Sequence, residues 1–274
     1  MTATATYLSL LQWEWFRLRQ RVGFWVVVGI AGLFVVGILA VTTLATSQSA
    51  VPLGIPPQGY PAAVFQGLSR LGPFFGIVLA SFLLGSEFAW GTWRTLIARG
   101  ERRHWTIHPK LLLGSGILLA VWVVAWCVGA GVGLIAGDES SSAIGDFLFD
   151  VPDGWGEAAA TCFASLPVAM TYMALGALLC VASRSSAFGV GVGLAVVVAE
   201  SVAYPLANVI VNGVYGFELH EYTRWTLWGV SNGIVGRDEM NAAWFLPAVL
   251  AYLIAFYGLS ILIFGKRDVD SGSG

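Results

Sequence analysis

Two ionisable residues, Arg70 and Glu200, lie inside long apolar runs of the sequence. Each costs roughly 2.5 to 3.5 kcal/mol to place in lipid on insertion scales, so both are expected to face the interior of a helix bundle. Ionisable residues in such positions line substrate or ion paths, or they form structural ion pairs. The sequence leaves these alternatives open, together with a third in which the long side chain of Arg70 reaches the membrane surface.

The other reactive residue types form no catalytic or metal-binding pattern. His104 and His108 have helical spacing, but the glutamate of H-E-x-x-H is missing and Pro109 follows. The cysteines lie singly in apolar runs, without CxxC spacing, and are expected to pack as small hydrophobic residues. No G-x-x-x-x-G-K-[ST] sequence occurs, so no P-loop is expected. We therefore expect no catalytic residue, no metal site and no cofactor bound by this chain, and do not expect it to be an enzyme by itself.

The composition shows what kind of scaffold holds these residues. Of the 274 residues, 57% are hydrophobic and 11% are charged, and the mean hydropathy is +0.76. Soluble domains carry about 25% charged residues. These values indicate a polytopic membrane protein.

Long apolar segments predict the membrane spans. A hydrocarbon layer about 30 Å thick takes about 20 helical residues to cross. Apolar residues before the first span recur at three- and four-residue intervals, with Glu14, Arg17 and Arg21 on another face, which predicts an interfacial amphipathic helix over 6–21. We expect an all-α membrane protein, a single transmembrane domain over 1–274 with six transmembrane helices. These spans are about 22–45, 62–85, 110–136, 159–182, 187–211 and 243–265.

The distribution of positive charge predicts the orientation. Eleven Lys and Arg residues lie in the N-terminal segment, in the second and fourth connections and in the C-terminal segment. Only Arg224 and Arg237 lie in connections on the other side. The positive-inside rule therefore predicts a multi-pass protein of the plasma membrane with both termini cytoplasmic.

The connection between the second and third spans, SEFAWGTWRTLIARGERRHW over 86–105, combines charge with aromatic residues. Trp90, Trp93 and Ile97 follow helical spacing, and Gly100 interrupts the pattern. This predicts a short amphipathic helix with one face against the membrane or the bundle and polar groups available to a cytoplasmic partner. A plainer alternative is that the arginines only anchor the cytoplasmic side.

Glu87 begins this connection at the edge of the membrane. We predict that it pairs with Arg94 or with a neighbouring cytoplasmic base. Such a pair would fix the angle between the second span and the short helix.

The spacing in this connection resembles the permease subunits of ABC transporters of the ABC-2 type. Members of that family carry Glu, three residues, Gly-Thr, one residue and Arg after the second span, and then a basic position seven residues before a Lys. The matching positions are Glu87, Gly91, Thr92, Arg94, Arg103 and Lys110. Gly100 stands where a Pro is common, and Pro109 stands where a Gly usually precedes the Lys.

The resemblance implies that the connection is a cytoplasmic coupling helix seated in a groove of a separate P-loop ATPase subunit. It also implies a transporter of two permeases, copies or relatives, and two ATPases, with the second and fifth spans lining the path. ATP and Mg²⁺ would bind the partner ATPase, membrane lipid would surround the spans, and no nucleic-acid partner is expected. The coupling residues are Glu87, Trp90, Gly91, Thr92, Trp93, Arg94, Arg99, Arg102 and Arg103.

The function expected from this resemblance is that of a permease subunit that couples ATP hydrolysis by its partner to outward transport. The alternative is a secondary transporter or channel that uses Arg70 and Glu200 as an intramembrane switch. The residues do not select a substrate.

Overall fold

A computed structural model describes residues 3–48, 59–89, 103–136, 155–215, 226–227, 229–230 and 242–266. Within these ranges the regular structure is helical and no strand occurs. The helices are α1 (Ala3–Arg19), α2 (Val22–Gln48), α3 (Gly59–Ala80), α4 (Ser86–Ala89), α5 (Arg103–Ala136), α6 (Trp155–Ala164), α7 (Leu166–Ser183), α8 (Ser186–Val198), α9 (Tyr204–Tyr215) and α10 (Ala242–Lys266).

Several of these helices are long and apolar enough to cross a membrane. In the described part of the chain there are five such stretches: Val22–Val41, Ala63–Phe88, Ile107–Ile135, Cys162–Ser183 and Phe245–Lys266. The protein is therefore an α-helical, multi-pass membrane protein. The fifth predicted span, 187–211, is helical too, but its apolar stretch Ser186–Val202 is shorter than the others, so the count of six remains a prediction.

Two helical stretches contain a π-helical segment. Ser81–Gly85 joins α3 to α4, and Ala199–Ala203 joins α8 to α9. A π-helical segment changes the face on which the following side chains lie, and it occurs frequently at functional sites. One segment ends at Gly85, two residues before Glu87, and the other contains Glu200, so both acidic candidates lie where the helical register shifts.

The helix α7 lies at the centre of the bundle and packs against α3, α5, α8 and α10. The close approach of α3 to α7 depends on a glycine, because a Cβ added to Gly76 would lie 2.4 Å from the carbonyl oxygen of Ala169. Where α8 packs against α3, a Cβ on Gly193 would lie 2.6 Å from Cγ2 of Ile77. Small residues let membrane helices pack at short distance when no hydrophobic effect drives them together.

A tight turn joins α7 to α8. Arg184 adopts a left-handed conformation with φ of 58°, and the hydroxyl of Ser185 accepts a hydrogen bond from the backbone N–H of Phe188. The left-handed Arg184 ends α7, and the hydrogen bond to Ser185 caps the start of α8. The fourth and fifth predicted spans are thereby held as an antiparallel pair.

Candidate functional site

An ionic cluster joins α1 to α4 and α5, and its centre is Glu87. The Glu87 carboxylate is only 1% exposed. Arg17 Nη2 lies 3.0 Å and Arg21 Nη2 lies 3.1 Å from Glu87 Oε1, and Lys110 Nζ lies 3.5 Å from the same oxygen. One buried carboxylate is thus surrounded by three cations: Arg17 on α1, Arg21 in the link between α1 and α2, and Lys110 on α5.

Lys110 extends the cluster to a second carboxylate. Its ammonium group is 2% exposed, and Nζ lies 2.8 Å from Glu14 Oε1 on α1. Buried charges are stable only when close partners and additional hydrogen bonds replace water. Lys110 meets this requirement by bridging Glu14 and Glu87.

Hydrogen bonds to Ser86 complete the cluster. Arg21 Nη1 donates to Ser86 Oγ at 2.5 Å, and that hydroxyl donates to the carbonyl oxygen of Phe82 at 2.7 Å. The second bond crosses the π-helical segment, so the register shift and the position of Ser86 are linked. Arg21 also lies over the ring of Phe82, at 5.9 Å from its centroid, which adds a cation–π contact.

The sequence in and just after α1 explains why three side chains meet the same partners. Glu14 and Arg17 are three residues apart and share one face of α1, and Arg21 follows two residues after α1 ends at Arg19. Their spacing predicts the polar face of an interfacial helix over 6–21. In the structure, that face is directed at α4 and α5, whereas Trp13 and Phe16 on other faces of α1 are exposed.

The cluster lies at both ends of the connection predicted to couple the chain to an ATPase. The connection leaves α4 just after Glu87 and returns at α5, which carries Lys110. Residues Trp90, Gly91, Thr92, Trp93, Arg94, Arg99 and Arg102 lie outside the described residues. Arg103 is the first residue of α5, and its side chain is also outside the description.

The predicted partner of Glu87 was Arg94 or a neighbouring base. The structure pairs Glu87 with neighbouring bases: Arg17 on α1, Arg21 in the link that follows it, and Lys110 on α5. Sequence reasoning did not assign Glu14, Arg17 or Arg21 to this site. The available signal was their shared face, together with an isolated acid at the end of a span.

The intramembrane candidates are not brought together. Tyr172 Oη donates a hydrogen bond of 2.5 Å to Glu200 Oε2, linking α7 to the second π-helical segment. Arg70 is exposed on α3, and no ion pair joins it to Glu200 in the described part of the chain. The expectation that Arg70 faces the bundle interior is therefore wrong for this chain. Leu68 and Gly72 share the buried face of α3, and Arg70 lies about 200° around the helix from Leu68.

The histidine candidate also has a structural partner. His108 Nδ1 is in hydrogen-bond contact with the hydroxyl of Tyr257, which ties the start of α5 to α10. The side chain of His104 lies outside the description. Within the described ranges, no three His, Cys, Asp or Glu side chains come together as a metal site.

Long apolar helices packed around α7 define a multi-pass helical membrane protein. Within that class, a family model described as "ABC-2 family transporter protein" matches residues 10–200, most of the chain. The chain belongs to this family and is a permease of an ABC-type transporter. Membership implies an ATPase subunit as partner. A comparison with curated proteins found no match. The matched region contains both the ionic cluster and Glu200.

Proposed function

We propose that this chain is the permease subunit of an ATP-driven exporter, and that the connection 90–102 transmits the movement of a separate ATPase to the membrane helices. The observation that carries this proposal is the ionic cluster around Glu87. It joins the helix before the connection, the helix after it and α1 into one unit. A push on the connection would therefore move three helices together.

The energetics of the cluster suit transmission. Removing one partner from a buried ion pair costs about 3 to 5 kcal/mol because the remaining charge stays desolvated. Glu87 and Lys110 are both almost completely buried, so their contacts resist separation. Helices that pivoted freely at the ends of the connection would dissipate the movement before it reached the substrate path.

The coupling residues divide into two groups in this proposal. Glu87 holds the connection to the bundle. The side chains that meet the ATPase groove are Trp90, Gly91, Thr92, Trp93, Arg94, Arg99, Arg102 and Arg103. ATP and Mg²⁺ bind to the partner, which supplies the hydrolysis.

The orientation follows the basic residues. The end of the bundle that carries α1 and the ionic cluster is cytoplasmic in this proposal, both termini are cytoplasmic, and the chain resides in the plasma membrane with six spans. Two permeases, copies or relatives, meet so that the second and fifth spans line the path. Support comes from the exposed faces of these spans, on which Arg70, Val198 and Val202 are accessible.

Reconstitution with the partner tests this proposal. The chain is coexpressed with a candidate P-loop ATPase subunit from the same organism and purified through a tag on the permease. We expect the ATPase to copurify, ATP hydrolysis to require it, and Arg94→Ala to reduce both. Arg19→Ala, on the exposed side of α1, is the matched control and should leave both unchanged. Hydrolysis by the permease alone, or full assembly of the Arg94→Ala variant, would contradict the proposal.

A secondary transporter that uses Arg70 and Glu200 as a switch is the competing function. It requires the two side chains to interact during the cycle, and they make no ion pair with each other within the described ranges. Ion-driven flux through vesicles that contain the permease alone would favour this alternative.

A further inference from the structure

Glu200 is an acid whose charge is not balanced by a cation of the described residues. Its hydrogen-bond partner is the neutral hydroxyl of Tyr172, which contacts Oε2. The other carboxylate oxygen makes no hydrogen bond within the part of the chain that the structure describes. Glu87, by comparison, has three cations around it. An acidic residue inside a span without a compensating charge marks a substrate or ion pathway by default.

Tyr172 holds the carboxylate in a fixed position. Its side chain is 2% exposed and packs in an apolar cluster with Ile77, Val197, Phe245 and Val249. Because residues of three other helices, α3, α8 and α10, enclose the ring, the hydroxyl has little freedom to move. The phenol therefore orients Oε2 and leaves Oε1 available to a ligand.

The carboxylate is accessible from the side of the bundle. Glu200 is half-buried, and its neighbours Ala199, Ser201 and Val202 are exposed. With a rise of about 1.5 Å per residue, Glu200 lies roughly 20 Å from the start of α8, well inside a hydrocarbon layer about 30 Å thick. A ligand that reaches it passes through an apolar medium.

The donor set limits the chemistry of that ligand. One carboxylate and one phenol provide fewer oxygens than the six to eight that Ca²⁺ takes, or the near-ideal octahedron of Mg²⁺. The negative charge repels anions. An apolar route together with one uncompensated acid selects a monovalent organic cation with a hydrophobic body.

We propose that Glu200 binds the cationic group of an amphipathic substrate within the membrane and that Tyr172 is its positioning residue. This inference rests on the proposed transport function and names the substrate class for it. Tyr172 does not contact the cation in this arrangement but presents the carboxylate to it. Arg70, on the exposed face of α3, is not part of the site.

Binding to the permease alone tests the inference without the ATPase. The full chain is placed in nanodiscs of phosphatidylcholine, and binding of tetraphenylphosphonium is measured by equilibrium dialysis. Tetraphenylborate, which has the same shape and the opposite charge, is the matched probe. We expect Glu200→Gln to weaken tetraphenylphosphonium binding by about tenfold or more, because a charge contact is strong at low dielectric. Tyr172→Phe should weaken it by about threefold, and Arg19→Gln, on the exposed side of α1, should leave it unchanged.

A second measurement uses the unmodified chain, so it does not depend on the folding of a variant. Dicyclohexylcarbodiimide, an apolar reagent for carboxyl groups, should modify Glu200 and spare the enclosed Glu87, as read by mass spectrometry. Tetraphenylphosphonium should slow the modification of Glu200, and tetraphenylborate should not. Equal binding by the wild type and the Glu200→Gln variant, or equal protection by both probes, would overturn the inference.

These outcomes are separate from those that test the proposed function. If the ATPase fails to copurify, the proposed function fails, whereas the binding result still establishes or removes the cation site. If the ATPase assembles and Glu200→Gln does not change the binding of tetraphenylphosphonium, only the substrate class is overturned.

Discussion

Two acidic residues of this protein, Glu87 and Glu200, have similar sequence settings and opposite surroundings. Each lies in or just after a π-helical segment of a mostly apolar helix. Glu87 is enclosed by Arg17, Arg21 and Lys110, whereas Glu200 is half-buried and receives one hydrogen bond from a neutral phenol.

The difference teaches how a buried charge is used. A carboxylate with several cationic partners holds helices together, and little of its potential is left for a ligand. A carboxylate with one neutral partner contributes little to the fold and retains its attraction for a cation. In the two proposals above, Glu87 therefore transmits force and Glu200 recognises the substrate.

The largest effect is expected for Glu87→Gln. This change keeps the size of the side chain but leaves three cations without their shared carboxylate. We expect the free energy of unfolding, measured by SDS titration of the purified chain, to fall by about 3 kcal/mol. ATP-driven transport should be lost as well. Arg19→Gln on the exposed side of α1 should leave stability unchanged, and equal stability of the two variants would remove the distinction between the acids.

A smaller loss is expected for Lys110→Met, which replaces the bridging ammonium group with an apolar side chain of similar length. Glu87 retains Arg17 and Arg21, and Glu14 is partly exposed and regains water, so the expected loss is about 2 kcal/mol. Lys110→Arg, which keeps the charge, should recover part of it in the same titration. A Lys110→Met chain as stable as the wild type would show that Lys110 is not a bridge.

Gly85, two residues before Glu87, and Gly191, on the same helical stretch as Glu200, give a matched test of packing. A Cβ added to Gly85 would lie 2.6 Å from Cα of Ser186, so the backbones must separate, whereas Gly191 has no atom within 4 Å. We expect Gly85→Ala to cost about 1 to 2 kcal/mol in thermal or SDS unfolding. Gly191→Ala should cost nothing. Similar losses of stability in the two variants would mean that the region around Glu87 is not packed more rigidly than the helix that leads to Glu200.

The smallest effect on stability is expected at the recognition site. Glu200→Gln keeps an acceptor for the hydroxyl of Tyr172, so unfolding should change by about 1 kcal/mol or less. Transport of a cationic probe should fall in the same variant. A loss of stability as large as that of Glu87→Gln would show that Glu200 stabilises the fold as Glu87 does, and would contradict the difference between the two acids.

Hydropathy predicted the long helices well because a span must cover a fixed thickness of hydrocarbon. Hydropathy predicts that the third span starts at 110, whereas α5 begins at Arg103. The first residues of α5 are polar, and a count of apolar residues does not detect a helix that extends beyond the membrane. The two π-helical segments carry no periodic signal in the sequence.

The partners of Glu87 could not be predicted from the residues near it in the sequence, for a different reason. Arg17 and Arg21 lie 70 and 66 residues away along the chain, so no spacing rule relates them to it. The inward face of α3 likewise depends on which residues meet α7, and for that reason the outward position of Arg70 did not follow from its apolar neighbours.

The long sequence separation within the ionic cluster has a consequence for biosynthesis. The helix α1 leaves the ribosome well before Glu87, and Glu14 has no bridging ammonium group until Lys110 has been made. In a nascent chain that ends before α5, the ionic cluster therefore lacks Lys110, and the N-terminal helix can still rearrange at the membrane surface. Insertion of the third span is then the step that commits the N-terminal half of the protein to its final arrangement.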